Sequence, residues 1–178
     1  MPASPPSILM ILTWFGAWPG WLRFFLESCR RNPTIDWAIW TDQLAPHDLP
    51  PNVRVSTLSF DAYRDLVARR LGLTPRWRDP YKLCDLKPAL GWIHRDVSAP
   101  YDYWGFGDLD VIYGDIRAIY DPRTLERFLE FKGGTELWRR YCTRAVSSTT
   151  GSIQPVANSA LISEANTNAP AGPWAQKK

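Results

Sequence analysis

At 178 residues, with 45% hydrophobic residues and ten tryptophans, the chain can bury the core of one domain and is too short to assume two. A net charge of +3 without any lysine/arginine run excludes tracking of a nucleic-acid backbone and leaves room for a phosphorylated ligand. Cys29, Cys84 and Cys142 form no CxxC or zinc-like spacing, which argues against a disulfide framework or a structural metal and for a reducing compartment.

The N-terminal MPASPPSILMILTWFGAWPGW has the apolar centre of a leader, but no Lys or Arg precedes it and no small-residue cleavage site follows. It is read as a buried first strand. No apolar run reaches the ~18 residues needed to span a bilayer, so the expected location is cytoplasmic, free or at the inner face of the membrane.

Residues 8 to 13, ILMILT, form a continuous apolar run closed by the turn signals FGAWPG, which predicts a strand covered on both faces, as in a parallel sheet. A helix follows, with Leu22, Phe25, Leu26 and Cys29 at i, i+3, i+4 and i+7 and Asn32-Pro33 ending the pattern. DWAIWTD, Asp36 to Asp42, predicts a second strand, and VRVSTLSF, Val53 to Phe60, a third. Ser59 is placed to cap a helix from Asp61 to Leu71, with Tyr63, Leu66, Val67 and Leu71 on one face and Gly72 at its stop.

A second helical region should start at or near Pro88 with Lys87 just before it, because proline is disfavoured inside a helix and its predecessor avoids the α region. Leu90, Ile93 and Val97 then face the core. YDYWGFGDLDVIYGDI predicts a last strand running to about Gly114. Strands alternating with helices indicate an α/β domain with a largely parallel sheet and a ligand site outside the carboxyl ends of the strands, where Thr13, Asp42 and Asp108 fall. The domain is expected over residues 7–144. The small, polar, aperiodic 145–178 reads as a disordered tail.

Within the last strand lies the acidic pair Asp108 and Asp110. Residues two apart in an extended strand point the same way, so both carboxylates could meet at one point if the strand holds through them. Mg²⁺ or Mn²⁺ is the matching cation, since either prefers carboxylate oxygens and completes its shell with phosphates and water. A DxD pattern alone is common, and the alternative is a solvated turn; the apolar flanks YWGFG and VIYG weigh against that alternative. The glycines at 105 and 107 would let a ligand approach the backbone.

TWFGAWPGWLRFFLESCRRNPTIDWAIWTD, PYKLCDLKPALGWI and YDYWGFGDLDVIYGDIR resemble, in that order, the motifs of a largely uncharacterised bacterial family of glycosyltransferase-like proteins with the GT-A nucleotide-diphospho-sugar transferase fold. The resemblance spans roughly residues 8 to 120. It implies a Rossmann-like sheet flanked by helices, a nucleotide-diphosphate sugar donor, a glycan or lipid-linked acceptor, and a divalent metal at Asp108 and Asp110. It also likens Lys82, Asp85 and Lys87 to the acid and basic residues that other DxD sugar transferases use to hold the donor's sugar and phosphates. Where Thr13 stands, the family's first strand usually runs into a proline.

Other roles stay open on the residues alone. Thr13, Trp14 and Phe15 either offer backbone groups and a ring face to a base or pack the core. Asp42 either accepts from a base N–H or a ribose hydroxyl or starts a turn. Lys82 and Lys87 either meet diphosphate charge or are solvated, and Asp85 could instead cap a short helix. Asp115 and Arg117 either pair or help the metal site or, as the favoured reading, shape the turn leaving the last strand; His94 is expected at the surface and His47 in a loop without a partner.

The expected activity is therefore metal-dependent glycosyl transfer in bacterial surface glycan synthesis. No catalytic base can be assigned, and only FKGGTELWRR hints at an acceptor half, so the chain reads as truncated after the DxD strand, a donor-binding half joined to an unrelated or frame-shifted end. The alternative is a non-catalytic nucleotide-sugar-binding or interaction domain. A nucleotidyl or phosphoryl transferase ranks lower, because no GxxxxGK[ST] loop is present.

Overall fold

A computed structural model describes residues 5–125, except 73 and 76, together with the short segment 152–155. Its centre is strand β1 (Ile8–Trp14), whose first five residues are each at most 1% exposed. Burying one such aliphatic side chain contributes about 1.5–3 kcal/mol, and β1 buries them on both faces. Ile8, Met10 and Leu12 enter one core and Leu9 and Ile11 the other.

β1 pairs in parallel with β2 (Ile35–Thr41) on one side and with β4 (Tyr103–Phe106) on the other, while β2 pairs in parallel with β3 (Val53–Thr57). Ile8 sits opposite both Ile35 and Tyr103, which sets the register across the centre. The parallel order is therefore 3-2-1-4, a Rossmann-like arrangement flanked by helices. β5 (Ser152–Pro155) adds to β4 antiparallel at the edge. Those four residues fall inside the span expected to be a disordered tail; the rest of 145–178, with FKGGTELWRR and Cys142, lies outside the described residues.

Helix α1 (Leu22–Arg30) lays Leu22, Phe25, Leu26 and Cys29 onto the first core, as its spacing predicts. Its N-cap, Trp21, makes no side-chain capping bond, so the buried stripe rather than a cap holds it. Helix α2 (Phe60–Leu71) covers the opposite face through Tyr63 and Val67. The Ser59 hydroxyl accepts from the Ala62 N–H at 3.2 Å, and Gly72 closes the helix at φ 64°, a left-handed conformation suited to glycine.

Three expectations change. Pro88 lies inside a 3₁₀ helix, Pro80–Ala89, and the α-helix expected to start at or near it begins at Leu90. Asp79, not Asp85, caps it by accepting from the Tyr81 N–H at 2.9 Å. Proline has no N–H to give and crowds its predecessor, so α geometry starts only beyond it, in α3 (Leu90–Ile93) and α4 (Arg95–Ser98). Leu90, Ile93 and Val97 do face the core.

Second, β4 ends at Phe106 rather than near Gly114, and the strands β2 and β3 stop at Thr41 and Thr57. Past Phe106 the chain turns so that Tyr113 can pack against Phe25 and Trp37, with ring centroids 6.1 and 4.8 Å away. Asp115 then caps α5 (Ile116–Ile119) by accepting from the N–H groups of Arg117 and Ala118. Arg117 reaches back to Thr34 and to the Pro6 carbonyl.

Third, His94 is not at the surface. It is 4% exposed, lies 2.9 Å through Nε2 from the Tyr63 hydroxyl, and stacks on Trp40 at a centroid distance of 3.6 Å. Its neighbours Arg95 and Asp96 suggest a solvated helix face, but the short α3 and α4 break at His94 and turn its ring inward.

Candidate functional site at the carboxyl edge of the sheet

In the order 3-2-1-4, successive strands step outward from β1 on one side and resume on its other side at β4. The chain segments leaving β1 and β4 thus diverge, and open α/β sheets bind ligands in the crevice so formed. Three stretches reach this edge: Phe15-Gly16 after β1, Asp42-Gln43 after β2, and Gly107 to Asp110 after β4.

The first two are clasped together. Gly16, at φ 110°, donates its N–H to Asp42 Oδ1 at 2.9 Å, and the Gln43 amide donates to the same oxygen at 2.9 Å. The positive φ is why a glycine stands at that position. Partial desolvation pushes the Asp42 carboxyl up, but the Gln43 and Gly16 hydrogen bonds together outweigh it and hold the group below its ordinary value, ionised at neutral pH. The Trp18 indole donates to the Leu44 carbonyl and the Thr57 hydroxyl to the Gln43 carbonyl, tying the loops after β1 and β2 to each other and to β3.

Across β1, the Lys87 ammonium lies 2.5 Å from Asp108 Oδ1. Both groups are partly shielded, with side chains 23% and 41% exposed. Lys87 is carried on the 3₁₀ helix and Asp108 on the turn after β4, so a contact across 21 positions of sequence is created by the packing of that helix beside the sheet edge. Asp110 is exposed in the turn that follows. The expected alignment of the two acids on one strand face does not arise, because β4 has already ended.

The other candidates are placed as follows. Thr13 and Trp14 are half-buried at the end of β1, and the Trp14 indole donates to the Ala17 carbonyl. Phe15 takes the core alternative, packed against Phe60 and Tyr63 at centroid distances of 5.3 and 5.1 Å. Lys82 and Asp85 pair only loosely with each other, 3.7 Å apart and both more than half exposed. His47 is exposed in its loop. A cavity of about 280 Å³ between α1 and the Pro46–Asp48 loop contains none of these residues.

One expected role changes, that of Gly107 as an opening for a ligand, and one contributor, Asn32, was not anticipated. Gly107 does not face open space: a Cβ there would stand 1.8 Å from the Tyr113 hydroxyl, so the glycine makes room for a tyrosine of its own loop. Asn32, 4% exposed, accepts from the Ile116 N–H and donates to the Ser28 and Gly114 carbonyls, pinning the far end of the loop that carries the acids. Asn32-Pro33 reads locally as a helix stop, and nothing near it in sequence signals a contact 82 positions away.

Among the described residues no three His, Cys, Asp or Glu side chains gather closely enough to hold a metal ion by themselves, and no helix is long and apolar enough to cross a membrane. Fold and edge together define an open, Rossmann-like α/β protein with its polar groups at the switch point. The profile of a family of unknown function, DUF6625, matches residues 10–139, and the chain belongs to that family. The matched segment contains every candidate residue from Thr13 to Asp110. No curated protein matches the chain.

Proposed function

We propose that this chain binds a nucleoside-diphosphate sugar at the carboxyl edge of its sheet and acts as a metal-dependent, GT-A-like glycosyltransferase. The observation that carries this reading is the Lys87–Asp108 pair at the end of β4, set beside the Asp42–Gly16 clasp at the ends of β1 and β2. Asp42 and Asp108 follow strands separated by β1, two strand spacings or about 10 Å. That separation is on the scale of a nucleoside and its phosphates.

Each residue then has a task within its chemistry. The ionised Asp42 carboxylate keeps Oδ2 for a base N–H or ribose hydroxyl while Oδ1 is held by Gly16 and Gln43. Lys87, with Lys82 farther along the same helix, meets diphosphate charge. Asp108 and Asp110 offer hard oxygen donors, and such a set suits Mg²⁺ or Mn²⁺, which commonly takes one or two carboxylates and fills its shell with substrate phosphates and water. The lack of a three-residue cluster among the described residues is compatible with that donor set. When bound, the cation would offset the charge of the departing diphosphate.

In the transfer itself, an acceptor hydroxyl oxygen bonds to the anomeric carbon while the bond from that carbon to the β-phosphate oxygen breaks. The electron pair leaves with the nucleoside diphosphate, and the acceptor proton passes to a base or to water. A glycan or lipid-linked hydroxyl of a bacterial surface polymer is the acceptor class that accompanies this reading.

Isothermal titration of UDP in the presence of Mn²⁺ should give metal-dependent binding, at least tenfold weaker in Asp110→Ala. Matching isotherms for the two proteins would remove Asp110 from the site. Binding of donor without any turnover over long incubation would instead favour a non-catalytic nucleotide-sugar-binding domain.

A further inference from the structure

We infer that Lys87 acts as an internal counter-cation for Asp108, so that divalent metal and diphosphate enter this site as a coupled pair and not independently. The inference rests on the reading of the edge as a nucleoside-diphosphate and metal site, and it concerns how that site is controlled.

The ammonium occupies Asp108 Oδ1 at 2.5 Å, the direct-contact position that a divalent cation would need on that oxygen. The pair is partly withdrawn from solvent, which weakens screening of its attraction. The exposed Lys82–Asp85 pair on the same helix, at 3.7 Å, has no such shielding. Lys87 also comes from a held backbone: the 3₁₀ helix is capped by Asp79 at one end and carries Pro88 immediately after the lysine.

A cation approaching Asp108 therefore meets a carboxylate already neutralised and a positive charge beside it. Both lower its affinity. A diphosphate changes the balance, because it offers the ammonium a partner of greater charge. Once Lys87 turns to the phosphates, Asp108 is released to the metal, and the metal in turn bridges carboxylate and phosphate. Each ligand thereby strengthens the other by the same factor, as linkage requires. Asp108 changes partners between the empty and loaded states, and Lys87 is the group that sets the order.

The test measures Mn²⁺ affinity of the full chain, by titration followed through the electron-spin signal of free Mn²⁺, with and without saturating UDP. Wild type should bind Mn²⁺ about 5- to 150-fold more tightly with UDP present. Lys87→Met and Lys87→Gln, neither of which carries charge, should bind Mn²⁺ alone more tightly than wild type and show a smaller enhancement by UDP, keeping only the share that comes from the metal–phosphate bridge. Lys87→Arg, which retains the charge, should keep it. Uncharged variants that bind Mn²⁺ alone no better than wild type, or that keep the full enhancement, overturn the inference while leaving the site's assignment standing. A wild-type chain that binds neither UDP nor Mn²⁺, separately or together, overturns the inference and the assignment at once.

Discussion

Gly107 and Tyr113 show how one residue constrains another inside the acidic loop. The phenol oxygen fills the space a Cβ would take, and it is buried without a hydrogen bond of normal geometry. Burial pushes its pKa up, the Asp108 backbone pulls it partly back, and the nearby negative charges of Asp108 and Asp110 push it up again, so the group stays protonated. Gly107→Ala should destabilise the fold by about 1–3 kcal/mol through overpacking. Tyr113→Phe should change stability little, since the buried hydroxyl it removes makes no hydrogen bond of normal geometry. Combining the two should recover part of the loss, because the 1.8 Å clash with the hydroxyl disappears while Cζ, 3.1 Å from the added Cβ, still has to give way slightly. Urea unfolding midpoints check this, and a double variant no more stable than Gly107→Ala would refute the contact.

At the scale of elements, the helices differ in what holds them. α1 has a full apolar stripe and no side-chain cap, whereas α2 buries only Tyr63 and Val67 within its span and carries both a serine cap and a left-handed glycine stop. Local chemistry should therefore matter more for α2. Ser59→Ala is expected to cost about 1 kcal/mol, read from the shift of the thermal or urea midpoint. The Pro80–Ala89 segment is the element that joins fold to site, because it turns Lys87 toward the sheet edge while burying Leu83.

For the whole molecule, His94 links three elements across one sheet–helix interface: the α3–α4 junction that carries it, Tyr63 of α2, and Trp40 of β2. Burial, aided by the positive charge of Arg70, lowers its pKa from 6.5 to about 3. A neutral histidine in the fold binds fewer protons than the unfolded chain below pH 6.5. Its contribution to the pH dependence is therefore absent above that value and becomes a loss of about 1.4 kcal/mol per pH unit as the pH falls from 6.5 towards 3. Urea unfolding at pH 7.5, 6 and 5 should show this decline, and His94→Gln, which keeps a hydrogen-bonding side chain without the titration, should flatten it. Equal slopes in the two proteins would exclude His94 as the cause.

Hydrophobic periodicity was enough to determine the parallel α/β fold, the faces of α1 and α2, the Ser59 cap and the Gly72 stop, because each follows from spacings within a few residues. The alternation of strands and helices also put Thr13, Asp42 and Asp108 at the carboxyl ends of the strands, while Lys87 was singled out only by the family resemblance. Tertiary structure alone decided what they touch. The pairing of Lys87 with Asp108, the inward turn of His94, the early end of β4 and the pinning of the acidic loop by Asn32 all join parts of the chain far apart in sequence, and they exist only because side-chain packing between layers outweighs the local preference of each segment.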